Sequence, residues 1–325
     1  MATAFATMMA MPAVPLAPHV TPVDDLVRLR AALGSGAPRI LVKRDDLLSF
    51  GLGGNKVRKM QTVAAEARAT GADTLITAGG LQSNHCRVTA ATGAALGMHV
   101  VLVLSGEPPA SPTANTRLDR LFGAEIRFVP SRAERVSTMA AVADELRAAG
   151  RHPFVVPIGA STPTGALGFA RGVVELSAAG VRPDEIVHAT STGGTQAGLV
   201  AGCALVGLSA RVIGVSADEP APALQKIVAA LIEGIADRLG ARPETVGADR
   251  PIEVADDQVG DGYGVPTAAS TEALELFARR EGLLLDPVYT AKAAAGMLAR
   301  IRSGEFTHGQ TVLFWHTGGQ VAFFQ

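Results

Sequence analysis

Lysine is scarce in this chain: five stand among 325 residues, and arginine supplies 24 of the 29 basic side chains. Two of the five fall in Gly53-Gly54-Asn55-Lys56-Val57-Arg58-Lys59. A sequence that uses arginine wherever charge alone suffices marks Lys56 as a lysine kept for chemistry. An amine can lose its proton and form a Schiff base with an aldehyde, which a guanidinium cannot do. The glycine pair just upstream lets backbone approach a planar group closely. Read alone, the string is better taken as a glycine turn leading into a helix with exposed basic residues.

Three further stretches carry candidate chemistry. Thr74 to Ala78 reads as a strand, followed by Gly79-Gly80-Leu81-Gln82-Ser83-Asn84-His85 and a small-residue helix, with Ser83 or Asn84 at the N-cap. Free N–H groups at such a helix start bind anions, a substrate carboxylate included, although capping alone accounts for either residue taken singly. Ile186 to Thr190 runs into Ser191-Thr192-Gly193-Gly194-Thr195-Gln196, which opens an apolar helix over Ala197 to Leu208. That construction cradles a phosphate, yet it fits neither the Walker A loop nor G-x-G-x-x-G. The two tyrosines of the chain, Tyr263 in Gly262-Tyr263-Gly264 and Tyr289 in Asp286-Pro287-Val288-Tyr289-Thr290, both fall in loops. Each alone is an ordinary turn phenol; together they point to a site.

These residues need a scaffold, and the composition supplies one. A chain of 33.3 kDa with 48% hydrophobic residues buries a large core. A net charge of −1 gives no nucleic-acid footprint, and no basic run addresses a membrane surface. Cys86 and Cys203 make no C-x-x-C pair, so neither a disulfide framework nor a metal site is expected, and a reducing cytoplasm suits them. Residues 1–20 are apolar but broken by Pro12, Pro15 and Pro18, and the first arginine is Arg28. They read as a flexible or oligomer-contacting extension rather than a signal peptide, and no apolar span is long enough for a membrane helix.

Alternation of strands and helices then runs the length of the chain. Strand Ile40 to Arg44 precedes the lysine loop, and helix Val57 to Thr70 follows it. Next come strand Thr74 to Ala78, helix 84–96, strand Val100 to Leu104, helix Thr113 to Phe122, strand Glu125 to Val129, helix Ala133 to Ala149 and strand Pro153 to Val156. Gly159 to Gly168 is rich in breakers and reads as a crossing between lobes. A second block holds helix 168–179, strands Ile186 to Thr190 and Arg211 to Val215, helices 220–239, 267–281 and 290–302, and the strand Gln310 to His316 before Thr317-Gly318-Gly319. This pattern predicts an α/β fold with parallel-rich sheets covered by helices, and ligands beyond the C-terminal strand ends.

The motifs GGNKVRK, QSNH, STGGTQAG, GYGVP, DPVYT and HTGG, in this order, resemble the tryptophan-synthase-β-like class of pyridoxal-phosphate enzymes, fold type II. Within it they are similar to the branch holding 1-aminocyclopropane-1-carboxylate (ACC) deaminase, D-cysteine desulfhydrase and L-cysteate sulfo-lyase, from about Leu41 to the C-terminus. The resemblance implies pyridoxal 5'-phosphate as cofactor, joined to Lys56, with Lys59 as a second lysine on the phosphate side. It implies a phosphate cradle at Thr192, Gly193, Gly194 and Thr195, and Asn84 beside the ring oxygen. Ser83 is implied at the substrate carboxylate, with His85 in the same loop, and Tyr263 and Tyr289 as active-site tyrosines. It implies two lobes, residues 57–165 forming the smaller and residues 1–56 with 166–325 the larger, and a homodimer acting on a small amino acid.

Two departures bear on the substrate. Thr290 stands where the deaminase pattern has Glu facing the pyridine nitrogen, and the loop reads Ser83-Asn84-His85 where the deaminase has Ser-Asn-Gln. A neutral hydroxyl makes the ring a weaker electron sink, which suits loss of a good leaving group from Cβ better than ring opening. The expectation is β-elimination from a β-sulfur amino acid to pyruvate and ammonia, with Lys56 as base, Tyr289 assisting or replacing it, and Tyr263 guiding the leaving group. D-cysteine desulfhydrase ranks first, L-cysteate sulfo-lyase second and ACC deaminase third; a non-catalytic pyridoxal-phosphate binder is the reading from another class. A sulfonate leaving group calls for an aimed arginine, for which Arg87 is the near candidate, although covering the helix face explains it as well.

Overall fold

A computed structural model describes residues 1–17 and 20–324. The chain opens with helix α1 (Ala2–Ala10), strand β1 (Val23–Asp25), helix α2 (Val27–Leu33) and strand β2 (Arg39–Arg44). Then follow α3 (Lys56–Ala69), β3 (Thr74–Gly80), α4 (Asn84–Leu96), β4 (His99–Ser105), α5 (Ala114–Leu121), β5 (Glu125–Val129), α6 (Arg135–Ala148) and β6 (Pro153–Val155). The last block is α7 (Pro163–Ala178), β7 (Glu185–Thr190), α8 (Gly194–Leu205), β8 (Arg211–Ser216), α9 (Ala221–Leu239), β9 (Glu253–Ala255), α10 (Ala268–Glu281), α11 (Thr290–Arg302) and β10 (Thr311–His316).

Two sheets result. One has the order β1-β2-β10-β7-β8-β9, the other β5-β4-β3-β6. Every pairing is parallel except β1 against β2. Alternate side chains of each strand feed opposite faces, as the period of two requires. Ile186, Leu313 and Trp315 enter the core under α7, α8 and α9, whereas Val187, Val312 and Phe314 enter the core under α10 and α11. In the second sheet Leu75, Val100, Leu102 and Leu104 face one way and Ile76, Val101 and Val103 the other. Both faces of both sheets are therefore covered, which is why these strands read as unbroken apolar runs.

Helix α3, which carries Lys56 at its first position, is wedged between the two cores. Val57, Met60, Val63 and Ala64 pack with the second sheet. On its other side Thr62 Oγ1 donates to the Thr164 carbonyl at 2.8 Å, and a side chain at Gly168 of α7 would overlap the Arg58 carbonyl. A buried ion cluster locks this seam. Asp45 accepts from Arg58 Nε and Nη2 and from Trp315 Nε1, each at 2.7 Å, and from Thr21 Oγ1 at 2.9 Å. Arg58 Nη1 also reaches Glu175 at 2.7 Å, and Lys43 reaches it at 3.2 Å.

Several expectations are corrected. Residues 2–10 are not a loose extension: Ala and Met favour helix, and α1 buries Ala4 and Met8, with Arg171 donating to the Met8 carbonyl at 2.8 Å. Pro18, part of the same expectation, lies outside the described residues. The Gly159 to Gly168 stretch is loop only to Thr162, which caps α7 by accepting from Gly165 N at 3.0 Å with Pro163 in the first turn. Its later glycines sit inside the helix because neighbouring backbone comes too close for a side chain. Helix α8 likewise begins at Gly194 rather than Ala197, which places Thr195 and Gln196 in its first turn. Strand β1, helix α2 and strand β9 add to the expected elements.

Candidate active site

A cavity of about 390 Å³ lies between the sheets, at the C-terminal ends of β3, β4, β7, β8 and β10. Among the expected residues, Lys56, Ser83, Asn84, His85, Thr192, Gly193, Thr195, Tyr263 and Tyr289 line it. Lys59 and Gly194 stand just behind its wall; a Cβ at Gly194 would lie 2.9 Å from Lys59 Nζ and 2.8 Å from Ser161 Oγ. Thr290 is not brought to the cavity. It is fully buried, and its hydroxyl donates to Asp286 Oδ1 at 2.7 Å, so it serves the start of α11 instead.

Lys56 is half-buried, with no hydrogen-bond partner for its amine among the described residues. Desolvation lowers its pKa to about 8. At pH 7 the free base is then about a tenth of the population, against about 0.03% for an ordinary lysine. Lys59 is buried, its amine donating to the Gly159 carbonyl at 3.2 Å and to Ser161 Oγ at 3.1 Å. Burial and the neighbouring Lys56 hold its pKa well below the usual lysine range.

Ser161 Oγ in turn meets Thr192 Oγ1 at 2.6 Å, and Asn55 Nδ2 donates to Thr195 Oγ1 at 3.3 Å. Both bonds border the start of α8, which has no side-chain cap and turns on Gly193 at φ 74°. An uncapped helix start, a buried lysine without a carboxylate partner among the described residues, and a gap that a Cβ at Gly194 would fill make a cradle suited to a phosphate. Gly193 itself is constrained by its backbone and by α9, since a Cβ there would meet Ile227 at 2.9 Å. Asn55 and Ser161 were missed in the sequence because nothing about an isolated Asn or Ser announces such placement.

Ser83 is the N-cap of α4, its Oγ accepting from Cys86 N at 3.2 Å. The N–H groups of Asn84 and His85, in the first turn, have no partner within the helix. The side-chain oxygen of Asn84, Oδ1, accepts from Arg87 Nη1 at 3.1 Å and from Asn115 Nδ2 at 3.2 Å. Arg87 is thus neither a surface side chain nor a wall residue: it is fully buried, and its other nitrogen Nη2 donates to the Gly53 carbonyl at 2.8 Å. The hydroxyl of Thr77 donates to the Val156 carbonyl, so it accepts from His85 Nε2 at 2.8 Å and leaves Nδ1 the bare acceptor. Burial, with Lys56 and Lys59 nearby, keeps His85 neutral.

Opposite stand the phenols of Tyr263 and Tyr289, 2.5 Å apart. Burial, and the neighbouring phenol after it, raises Tyr289 well above the usual tyrosine range, and burial also raises Tyr263. Both stay protonated near neutrality, and because one O–H is used between them the pair keeps one free to donate. Asp286 orients Tyr289 by accepting from its N–H at 2.9 Å and from Thr290 N at 2.8 Å. Lys292 holds the other partner's loop: its amine donates to the carbonyls of Ala217, Val259 and Gly262 at 3.2, 2.8 and 2.9 Å. Ser105, Arg132, Arg135, Asp218 and Thr317 also line the walls.

Residues 14–318 match the family described as pyridoxal-phosphate dependent enzyme. The chain belongs to that family. Its cofactor is pyridoxal phosphate, and the cradle and the low-pKa amine fit it. Among relatives of this pyridoxal-phosphate enzyme, the D-cysteine desulfhydrases of Salmonella choleraesuis (strain SC-B67) and Salmonella newport (strain SL254) are each 38% identical over 314 residues, 94% of this chain and 93% of theirs. Among solved structures, an ACC deaminase homologue superposes with a TM-score of 0.91 at 34% identity, over 99% of this chain and 96% of its own. A threonine deaminase from T.th. shares the fold, with a TM-score of 0.70 at 20% identity over 98% and 97% of the two chains. The fold is therefore type II, the α/β arrangement that the alternation and motifs predicted.

Proposed function

We propose that this enzyme eliminates the β-substituent of a small β-sulfur amino acid, D-cysteine first, releasing hydrogen sulfide, pyruvate and ammonia. The observation that carries the reading is the convergence of the Lys56 amine, the uncapped α8 start and the Tyr263–Tyr289 pair on one cavity. Similarity to the desulfhydrases supports the choice of substrate. Bound pyridoxal phosphate supplies an aldehyde for the substrate amine and a ring that accepts the charge developing at Cα.

The protein's own groups do the rest. The α8 start with Lys59, Thr192 and Thr195 would hold the phosphate, and Asn84, fixed by Arg87 and Asn115, would stand beside the ring. The first-turn N–H groups of α4 bind the substrate carboxylate beside Ser83 and His85. Lys56, partly neutral at pH 7, takes the Cα proton. The tyrosine pair has one O–H left to donate and protonates the departing sulfur. Thr290 supports this through Asp286 and Tyr289 rather than by touching the ring. The reading includes residues 57–165 as a smaller lobe against both flanks, and a homodimer in a reducing cytoplasm, consistent with Cys86 and Cys203 both buried and unpaired. No helix among the described residues is long and apolar enough to cross a membrane.

The test is a panel on the pyridoxal-phosphate-loaded protein with both hands of cysteine and with ACC. D-cysteine is expected to give pyruvate and sulfide in equal amounts, with ACC turned over poorly. Efficient deamination of ACC without pyruvate from either cysteine would overturn the assignment.

A further inference from the structure

Two arginines of one turn reach the cavity mouth and are treated differently. Arg132, 64% exposed, is paired with Glu219 at 3.0 Å and has Asp218 at 4.0 Å. Arg135, first residue of α6, is half-buried and donates from Nε and Nη2 to one neutral group, Ser105 Oγ, at 2.9 and 2.5 Å. It has no carboxylate partner among the described residues, and a partly desolvated cation without one is costly. Its pKa is lowered, by burial first and by Arg132 next, while the phenols of Tyr263 and Tyr289 lie near enough to enter its electrostatic surroundings. The one acid on the same wall, Asp218, is held by Ser191 and faces Arg132. Both anions that the proposed reaction requires, cofactor phosphate and substrate carboxylate, already have helix starts of their own. Arg135 is left for a third negative charge on the tyrosine side of the cavity.

We propose that Arg135 and Ser105 form an anion subsite that receives a tetrahedral oxyanion carried on the substrate's β-carbon, a sulfonate or a phosphate ester. This rests on the β-elimination reading and widens it to charged leaving groups. A guanidinium meets such oxyanions through two parallel N–H donors, which no thiol needs. The balance is simple. The Cα–H bond and the bond from Cβ to sulfur or oxygen break, the electron pair of the latter leaves as sulfite or phosphate, and water then releases ammonia from the enamine to give pyruvate. No oxidant or reductant enters.

The experiment compares cofactor-loaded wild type with Arg135→Met and Arg135→Lys on D- and L-cysteine, cysteate and O-phosphoserine. It measures pyruvate, sulfite and phosphate release, and binding through the change in cofactor absorbance. Cysteate or O-phosphoserine of one hand should be turned over, sulfite or phosphate release telling which oxyanion the subsite takes. Arg135→Met should lower kcat/KM for the charged substrate at least thirtyfold more than for cysteine, with Arg135→Lys recovering part of the loss. An equal loss on cysteine, or absence of turnover and of binding for both charged amino acids, overturns the subsite; should Arg135→Met not fold, the same comparison decides with Arg135→Lys and Ser105→Ala. Arg135-dependent binding of a charged amino acid without pyruvate from any of the amino acids tested would instead keep the subsite and remove the β-elimination reading.

Discussion

At the scale of single residues, the cavity depends on three side chains of rare type. Lys56 and the two tyrosines stood out by scarcity and share one cavity. Thr290 was placed by motif position alone, and its orientation could not be read: the hydroxyl of a first-turn threonine is drawn to Asp286 four residues back, a bond that one-dimensional spacing does not distinguish from a turn outward. Lys56 carries a direct pH prediction. Its amine is protonated well below pH 8 and free above it. Capture of pyridoxal phosphate by the apo-protein, trapped with borohydride and mapped by mass, is expected to rise about tenfold per pH unit up to that point and then level off. Lys56→Ala should leave no trapped label and no turnover. In a Gly194→Ala variant the added methyl crowds Lys59 and Ser161, and dialysis should strip the cofactor at least tenfold faster; unchanged retention would move the phosphate elsewhere.

Elements were legible wherever local chemistry announces them. Ser83 before a small-residue run predicted α4 to the residue, and Thr290 to Arg302 emerged as α11 with the expected bounds. Boundaries failed where tertiary contact overrides propensity. Gly165 and Gly168 look like breakers but are close-approach positions inside α7, and Gly194 opens α8 because its lack of a side chain leaves room for Lys59. Helix α11 also does work the sequence hid, since Lys292 reaches across to three carbonyls of the Tyr263 and Asp218 loops. Lys292→Met should free those loops and draw Tyr263 away from Tyr289. Losing one well-placed proton donor corresponds to about 1.4 kcal/mol of barrier or more, a tenfold fall in kcat. Cofactor affinity should stay near that of wild type, so a variant that loses cofactor in step with kcat would assign Lys292 to general stability.

For the molecule as a whole, β/α alternation conveyed two covered parallel sheets, while the seam between them was invisible. Lys43, Asp45, Arg58, Glu175 and Trp315 are spread over 273 positions, and only folding shows that their charges cancel in one buried cluster. Burial alone would raise Asp45, but Arg58, Trp315 and Lys43 outweigh it and hold the carboxyl below its usual range. Its contribution is therefore complete above the ordinary aspartate pKa and lost as pH falls through the lower folded value. Arg58→Met strands that carboxylate, and chemical denaturation near pH 7 is expected to show a loss of about 3–5 kcal/mol. A loss under about 1 kcal/mol would mean water reaches the cluster.

The same allocation of lysines shapes the outside of the protein. Lys43, Lys59 and Lys292 are buried and Lys56 sits in the cleft, which leaves Lys226 on α9 as the one exposed lysine. A protease that cuts after lysine therefore meets a folded chain with a single accessible target, itself inside a helix. Every other cut waits for the chain to open, so such digestion reads out how often this molecule unfolds rather than how its surface is arranged.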